Sequence, residues 1–248
     1  MKTVTIRFYG SLNKLIPKNK EQWLTCPLRD SRSVKDVVES LGIPHTEIGR
    51  VLVDGGGVSS SRNLLPGEKV EIFPAFIDVE EVIQGITPPS MPCKFILDVH
   101  LGTLAKYLRA LGIDTLYDSS YEDEEIASIS LRENRTILTR DRGILKRKEV
   151  VNGYLIRSQK TMIQLKEVFI NFPPEVKVFS RCMKCNGMLV SVSKAEILHT
   201  LAPLTRNYYN EFYRCSSCET IYWKGGHWER MNRSLETFLS DLEEYKKT

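Results

Sequence analysis

Two aspartates, Asp98 and Asp141, follow short apolar runs: Phe95-Ile96-Leu97 leads into the first, and Thr136-Ile137-Leu138, then Thr139-Arg140, into the second. A third acidic group, Asp123-Glu124-Glu125, lies between them in the chain. Carboxylates gathered at one place repel one another unless a cation shares them, and hard oxygen donors of this kind suit Mg²⁺ or Mn²⁺. The chemistry they suggest is metal-assisted cleavage of a phosphodiester. A second constellation is softer. Cys182-x-x-Cys185 and Cys215-x-x-Cys218 offer four thiolates able to surround one tetrahedral Zn²⁺, with Asn186-Gly187 supplying the turn after the first pair. Four sulfurs saturate zinc, so such a site is closed and structural. The interval between the pairs exceeds the common spacing, which predicts a helical or looped insertion around Ser193 to His199. A redox dithiol needs only one pair in a βαβ setting, and that setting is missing around these cysteines. Cys26 and Cys93 stand alone and read as buried small apolar residues.

The acids need elements to position them. Both apolar runs have strand length and composition. Leu101, Leu104, Ala105, Leu108 and Leu111 recur at helical steps and end at Gly112; Ile126, Ala127, Ile129 and Leu131 form a second helical pattern opened by the acidic group. Strand, helix, strand, helix, strand argues a parallel sheet with covering helices, and such sheets bind ligands beyond the carboxyl ends of their strands. Asp98 and Asp141 stand at those ends. The same domain continues through Gly153-Tyr154-Leu155-Ile156 and a helix over about Thr161 to Asn171, closed by Pro173-Pro174.

Cations near the acids are candidates for backbone phosphate. Lys106 and Arg109 lie three residues apart on the first helix, and Arg140 and Arg142 flank Asp141. The competing readings are solvated surface charge for all four and, for Arg109, a brace that pairs with a carboxylate of the site. His100 reads as a residue of the helix entrance. Downstream, Tyr222-Trp223-Lys224-Gly225-Gly226-His227-Trp228 either stacks on bases or covers a small core, and His227 is not needed as a zinc ligand.

The net charge of +4 is compatible with a nucleic-acid partner without indicating one. No apolar run approaches the roughly 20 residues of a membrane span, and no signal-peptide core opens the chain, so the expectation is a cytoplasmic protein with no membrane partner. The 248 residues suffice for several small domains. Before the acids, Val4, Ile6 and Phe8 alternate with polar residues, a second strand is expected at Gln22 to Cys26, Ser33 caps a helix, Val51-Leu52-Val53-Asp54-Gly55 signals a hairpin and Pro66-Gly67 a turn into Val70-Glu71-Ile72-Phe73. Gly55-Gly56-Gly57 is a hairpin loop, since no strand-to-helix context makes it a phosphate cradle. The proline-rich stretch around 87–92 is a linker. The organisation expected is residues 1–84, a linker at 85–92, an acid-bearing domain at 93–174, a cysteine domain at 175–232 and a docking helix at 233–248 carrying Leu235, Phe238, Leu239, Leu242 and Tyr245 on one face.

The first segment resembles ubiquitin-like β-grasp domains related to the sulfur carriers of thiamine and molybdopterin synthesis, through Ile6-Arg7-Phe8-Tyr9-Gly10-Ser11-Leu12, Ser33-Val34-Lys35-Asp36-Val37, Val51-Leu52-Val53-Asp54-Gly55 and Leu65-Pro66-Gly67-Glu68-Lys69-Val70. Carriers of that kind end in a Gly-Gly tail, whereas this chain runs on past Asp78 with only Gly85 near that place. A binding or scaffolding role is therefore expected, with a protein partner for this domain.

From about Pro92 to Met231 the chain resembles the Mut-seven C-terminal RNase domain family, a PIN-like nuclease fold fused to a zinc ribbon. The matching pieces are Phe95-Ile96-Leu97-Asp98, the stretch from Leu101 to Thr115, Asp123-Glu124-Glu125-Ile126, Arg135 to Arg142, Ser180-Arg181-Cys182-x-x-Cys185-Asn186-Gly187, and Cys215-x-x-Cys218 followed by Ile221-Tyr222-Trp223-x-Gly225-x-His227. Some members of that family carry a ubiquitin-like domain in front. The resemblance implies an α/β multidomain protein: a β-grasp domain, a PIN-like domain with a parallel sheet, and a zinc ribbon. It implies a metal-dependent ribonuclease with RNA as partner, structural Zn, and catalytic Mg or Mn held by Asp98, Asp123 and Asp141. Glu124 or Glu125 is the alternative to Asp123, which would then serve only as a helix cap. Many PIN nucleases have a further acid where this chain has Arg142-Gly143, with Asp118 and Glu149 as substitutes. The rival functions are a non-catalytic RNA- or protein-binding module with a PIN-like shell and a phosphatase-like or nucleotide-binding α/β domain.

Overall fold

A computed structural model describes residues 2–16, 23–28, 30–79 and 88–247. The first element, β1 (Thr3–Phe8), buries Val4, Ile6 and Phe8 and turns the intervening residues outward, the period of a strand with one covered face. It is followed by β2 (Leu24–Pro27), α1 (Val34–Ser40), β3 (Ile48–Val53), β4 (Gly56–Val58) and β5 (Lys69–Pro74). Helix α1 starts where expected because Ser33 and Asp36 cap each other reciprocally. Asp54 and Gly55 both take positive φ, 47° and 82°, which closes the β3–β4 hairpin. The sheet order is β2-β1-β5-β3-β4, with β1 and β5 parallel and the other pairs antiparallel. This is the β-grasp arrangement. The expected domain boundary at 84–85, with Gly85, lies outside the described residues.

The second body alternates β6 (Phe95–Leu97), α2 (Gly102–Ala110), β7 (Thr115–Leu116), α3 (Asp123–Glu133), β8 (Thr136–Thr139), α4 (Arg142–Leu145), β9 (Gly153–Leu155) and α5 (Thr161–Asn171). Its strands are all parallel, in the order β7-β6-β8-β9. Successive side chains of a strand face opposite sides, and both sides are covered here, so β6 and β8 are buried throughout. Helix α2 ends at Gly112, whose φ of 85° and approach to the Lys177 carbonyl, 2.3 Å from where a Cβ would stand, leave room for no side chain.

The two bodies do not bury separate cores. Ile96, Ile137, Ile144, Leu145 and Leu155 from one face of the parallel sheet join Val4, Ile6, Val37, Val51 and Ile72 in one apolar cluster. On the opposite face, Ala75 and Phe76, just beyond β5, pack with Phe95, Leu97, Tyr154 and Phe172. The Phe76 and Tyr154 rings meet edge to face at 4.8 Å. Polar contacts follow the same seam. Glu47, fully buried, accepts from the Leu155 amide at 3.0 Å and from Arg157 Nη2 at 2.5 Å. Asn171 pairs through its amide with both the N–H and the C=O of Ile77. Burial disfavours the Arg157 charge, but Glu47 together with Tyr154, Glu167 and Asp78 more than offsets it, raising the pKa.

The third body is an antiparallel sheet of β10 (Leu189–Val192), β11 (Phe212–Cys215) and β12 (Ile221–Trp223). The insertion expected around 193–199 is α6 (Lys194–Ile197), a short 3-10 turn, and α7 (Pro203–Tyr208). The terminal helix, α8, runs from Gly226 to Lys247, so it begins well before residue 233, and His227 and Trp228 lie in its first turn. Leu235, Phe238 and Leu242 are its buried stripe, with Phe238 edge to face on Phe169 at 5.2 Å. No helix among the described residues is long and apolar enough to cross a membrane.

Candidate active site and four-cysteine centre

Asp98 and Asp141 come together because β6 and β8 are parallel neighbours, Leu97 opposite Leu138, so both chains emerge from the same edge of the sheet. Asp98 is 5% exposed and both its oxygens are committed. Oδ1 accepts the His100 amide at 2.8 Å, capping the turn that enters α2; Oδ2 accepts the Arg140 amide at 3.0 Å and the Thr139 hydroxyl. The same Thr139 oxygen accepts the Asp141 amide at 2.8 Å. A fully buried threonine thus ties the two acids together, a role that Thr139-Arg140-Asp141 did not reveal on its own. Asp141 Oδ1 caps α4 through the Gly143 amide at 2.7 Å, and the rest of the residue is exposed.

Asp123 is the first residue of α3, and Glu122 occupies the capping position without a side-chain bond, so Asp123 is no cap. Partial burial, then the charges of Asp141 and Asp98, raise its pKa, with Arg147 opposing. Glu124 and Glu125 are exposed in the first turn of α3. The substitutes are occupied elsewhere: Asp118 accepts from the Ser120 amide and hydroxyl, and Glu149 pairs with Arg147 at 2.8 Å.

The carboxylates do not form a tight cage. Among the described residues, the group of ligand side chains whose donor atoms all lie within 4.8 Å of one another is Cys182, Cys185, Cys215 and Cys218. Hard carboxylate oxygens suit a cation such as Mg²⁺, which keeps several of its waters and needs no complete protein cage.

The basic candidates separate. Arg140 is exposed, and its side chain meets no partner among the described residues. Arg142 is half-buried and donates Nη1 to the Leu15 carbonyl across the seam at 2.8 Å. Lys106 is exposed on α2. Arg109 is a correction. It is 3% exposed and donates to the carbonyls of Thr115, Tyr117, Met183 and Lys184, so it braces α2 and β7 against the first cysteine knuckle and is withdrawn from phosphate. Its partners are carbonyls, not a carboxylate of the site. His100 is exposed at the helix entrance.

The knuckle is held by more than Arg109. Asn186, at φ 71°, accepts the Thr115 amide and donates to Asp114, which also binds Arg135 at 2.6 Å. Burial alone would raise Asp114, but Arg135 and Asn186 prevail and hold it below the usual carboxylate range. Cys182 and Cys218 sulfurs lie 3.6 Å apart, Cys185 and Cys215 3.4 Å. A tetrahedron with metal–sulfur bonds of about 2.3 Å has edges of about 3.8 Å, so the spacing fits zinc. Burial and then the neighbouring sulfurs push the Cys185 thiol up to about 12, while the Thr220 hydroxyl draws Cys218 down to about 6. A Cβ on Gly187 would come within 2.8 Å of the Cys215 sulfur. His227 is exposed and stands outside this group; Cys26 is buried as expected, but Cys93 is exposed.

The ribbon's aromatics cover its core and also line an open space. Trp228 packs on Phe179 at 5.0 Å and Trp223 lies against the ribbon's small core, yet both line a cavity of about 340 Å³ with Tyr213 and Tyr222.

A family model described as the Mut7-C RNAse domain matches residues 93–235, more than half of the chain. The chain belongs to the Mut7-C RNAse domain family. A second model, described as Mut7-C ubiquitin, matches residues 1–80. No curated protein and no solved structure matches the chain. The domain order is thus ubiquitin-like, then RNAse-like, and the four cysteines near the C-terminus are close enough to hold a zinc ion.

Proposed function

We propose that this protein is a divalent-cation-dependent ribonuclease that hydrolyses RNA phosphodiesters at Asp98, Asp123 and Asp141, with a structural zinc in the four-cysteine ribbon. The observation that supports the reading is the pair Asp98 and Asp141 at the carboxyl edge of a parallel sheet, bridged by Thr139, with Asp123 opening α3, all inside the segment that matches an RNAse domain.

Asp98, Asp123 and Asp141 would hold Mg²⁺ or Mn²⁺, with Glu124 or Glu125 within reach of the same helix turn. The cation, when bound, polarises the phosphodiester and lowers the pKa of the attacking water. The chain's own groups supply position. Thr139 and the amides of His100 and Arg140 fix Asp98 before substrate arrives, and preorganisation of this kind avoids reorganisation during the reaction. Partial burial and then the charges of Asp141 and Asp98 disfavour the Asp123 carboxylate, and a bound cation would offset both. Arg140 and Arg142 flank Asp141 and are the cations suited to hold the phosphate backbone; Lys106 is a more distant contributor. In the ribbon, Trp223 and Trp228 offer ring faces for bases.

The test measures RNA cleavage, RNA affinity and hydrolysis of a small phosphomonoester for wild type and Asp98→Asn, with zinc content checked in each. Cation-dependent RNA cleavage lost in Asp98→Asn, with affinity retained, supports the proposal. RNA binding without cleavage by zinc-loaded wild type would make the domain a binding module. Hydrolysis of the monoester alone would make it a phosphatase.

A further inference from the structure

A cavity of about 360 Å³ opens at the seam between the β-grasp sheet and the parallel sheet, beside the acids. Its lining includes Lys14 and Asp78 from the first domain and Arg140, Arg142, Arg157 and Glu167 from the second. The four cations there are not equivalent. Lys14 pairs with Asp78 at 2.9 Å, and Arg157 pairs with Glu47 beneath the wall. Glu167 accepts from Tyr154 and from the amides of Arg157 and Ser158. Arg140 and Arg142 meet no carboxylate among the described residues, so the positive excess sits on the two arginines that flank Asp141. Arg157 Nε is buried and has no hydrogen-bond partner, a donor left unsatisfied in the wall. The backbone of Arg140 also donates to Asp98, so one residue belongs both to the cavity lining and to the bonds that hold an acid. The volume is at the low end of small-molecule sites, roughly 300–1,000 Å³, so it admits a single nucleotide unit and no double helix.

We propose that this seam is a phosphate-binding subsite for one nucleotide of RNA, built by Arg140 and Arg142 of the RNAse domain, with Lys14 of the ubiquitin-like domain, held by Asp78, as a secondary contributor in the wall. The inference rests on the ribonuclease reading and deepens it. The ubiquitin-like domain becomes one wall of the substrate cleft. Arg142 links the walls directly, donating to the Leu15 carbonyl next to Lys14, so a phosphate there meets cations whose separation the fold has already set. The nucleotide in question is either the 5′-terminal unit of a strand or an internal one beside the cleaved bond.

The test is binding, measured on the full zinc-loaded chain without added Mg²⁺ or Mn²⁺. The probes are adenosine, adenosine 5′-monophosphate, and a labelled oligoadenylate bearing either a 5′-phosphate or a 5′-hydroxyl. The variants are Arg140→Gln, whose side chain is exposed and packs on nothing described, and Lys14→Gln, with melting temperatures as the folding control. The monophosphate should bind at least tenfold more tightly than adenosine, each variant should weaken it severalfold, and the salt slope for the oligomer should fall by about 0.7 per contact removed. Preference for the 5′-phosphorylated oligomer identifies a strand end; equal binding of both oligomers, with the variant effects intact, identifies an internal phosphate. Adenosine binding as tightly as its monophosphate, or folded variants binding as wild type does, would overturn the subsite. Should RNA still be cleaved in that case, the nuclease reading survives it. Phosphate-dependent binding sensitive to both variants, with no RNA cleaved, would instead retain the subsite and remove the nuclease.

Discussion

Glu47→Ala is the substitution that reads the shared core most sharply. Glu47 belongs to the ubiquitin-like domain, is 0% exposed, and accepts from Arg157 and the Leu155 amide of the RNAse domain. Its removal leaves the Arg157 guanidinium with one carbonyl bond at 3.2 Å and a marginal contact with Ser11 at 3.4 Å, and strands the Leu155 amide. Breaking a buried pair from one side costs about 3–5 kcal/mol, against a total stability of about 5–15 kcal/mol for a domain. At about 2–4 °C per kcal/mol for a chain of this size, the midpoint should fall by roughly 6–20 °C. Glu47→Gln should lose less, since it still accepts from Leu155. Adding Arg157→Met to Glu47→Ala should restore more than half of the loss, because the stranded charge goes with its partner. The assay is thermal or urea unfolding followed by circular dichroism. A loss below about 1 kcal/mol for Glu47→Ala, or wild-type unfolding in which residues 2–79 melt apart from residues 93–171, would refute the shared-core reasoning.

Other consequences are equally open to measurement. Thr139→Val keeps the shape of a fully buried residue but deletes the hydroxyl between Asp98 and Asp141; it should cost about 1.5–3 kcal/mol by urea unfolding, and a cost under about 0.5 kcal/mol would show that the bridge is idle. Asp114 has its folded pKa held below the unfolded value of about 3.9, so the stability it contributes is present above about pH 4 and is lost as pH falls through the folded value. Asp114→Asn should therefore be less stable than wild type at pH 7 by about 1–3 kcal/mol, with the gap narrowing below about pH 4; a gap independent of pH would contradict this. Removal of zinc by a strong chelator should strip hydrogen-exchange protection from β10 to β12 while β6 and β8 keep theirs, and unchanged protection in the ribbon would mean that the cysteines hold no metal.

The sequence is most legible where a signal is local. The alternation of apolar runs and helical stripes predicts a parallel sheet with Asp98 and Asp141 at strand ends, and the structure adds that β6 and β8 are neighbours, which puts those acids at one edge. The paired cysteines are equally plain, since ligand spacing within each knuckle is a local property. What escapes is long-range. Arg109 is polar on an otherwise amphipathic helix and reads as a surface cation; only the knuckle more than seventy residues later covers it. Glu47 and Arg157 are 110 positions apart, and neither has a neighbour in sequence that marks it as buried. Nor does composition disclose that two domains share apolar clusters, because each half has enough apolar residues to suggest its own. The start of α8 at Gly226 escapes for another reason. Gly225-Gly226 reads as a turn, yet a helix begins at Gly226, with its buried stripe on the body supplying the stabilisation.

The central claim is tested most directly by the rate at which zinc-loaded wild type and Asp98→Asn/Asp141→Asn cleave one labelled single-stranded RNA, with Mg²⁺ or Mn²⁺ supplied or withheld. The account predicts cleavage by wild type only with the cation and at least a hundredfold less by the double variant, which should remain folded. Cleavage at the wild-type rate by the folded double variant, or no cleavage by wild type of this or any structured RNA, would contradict it.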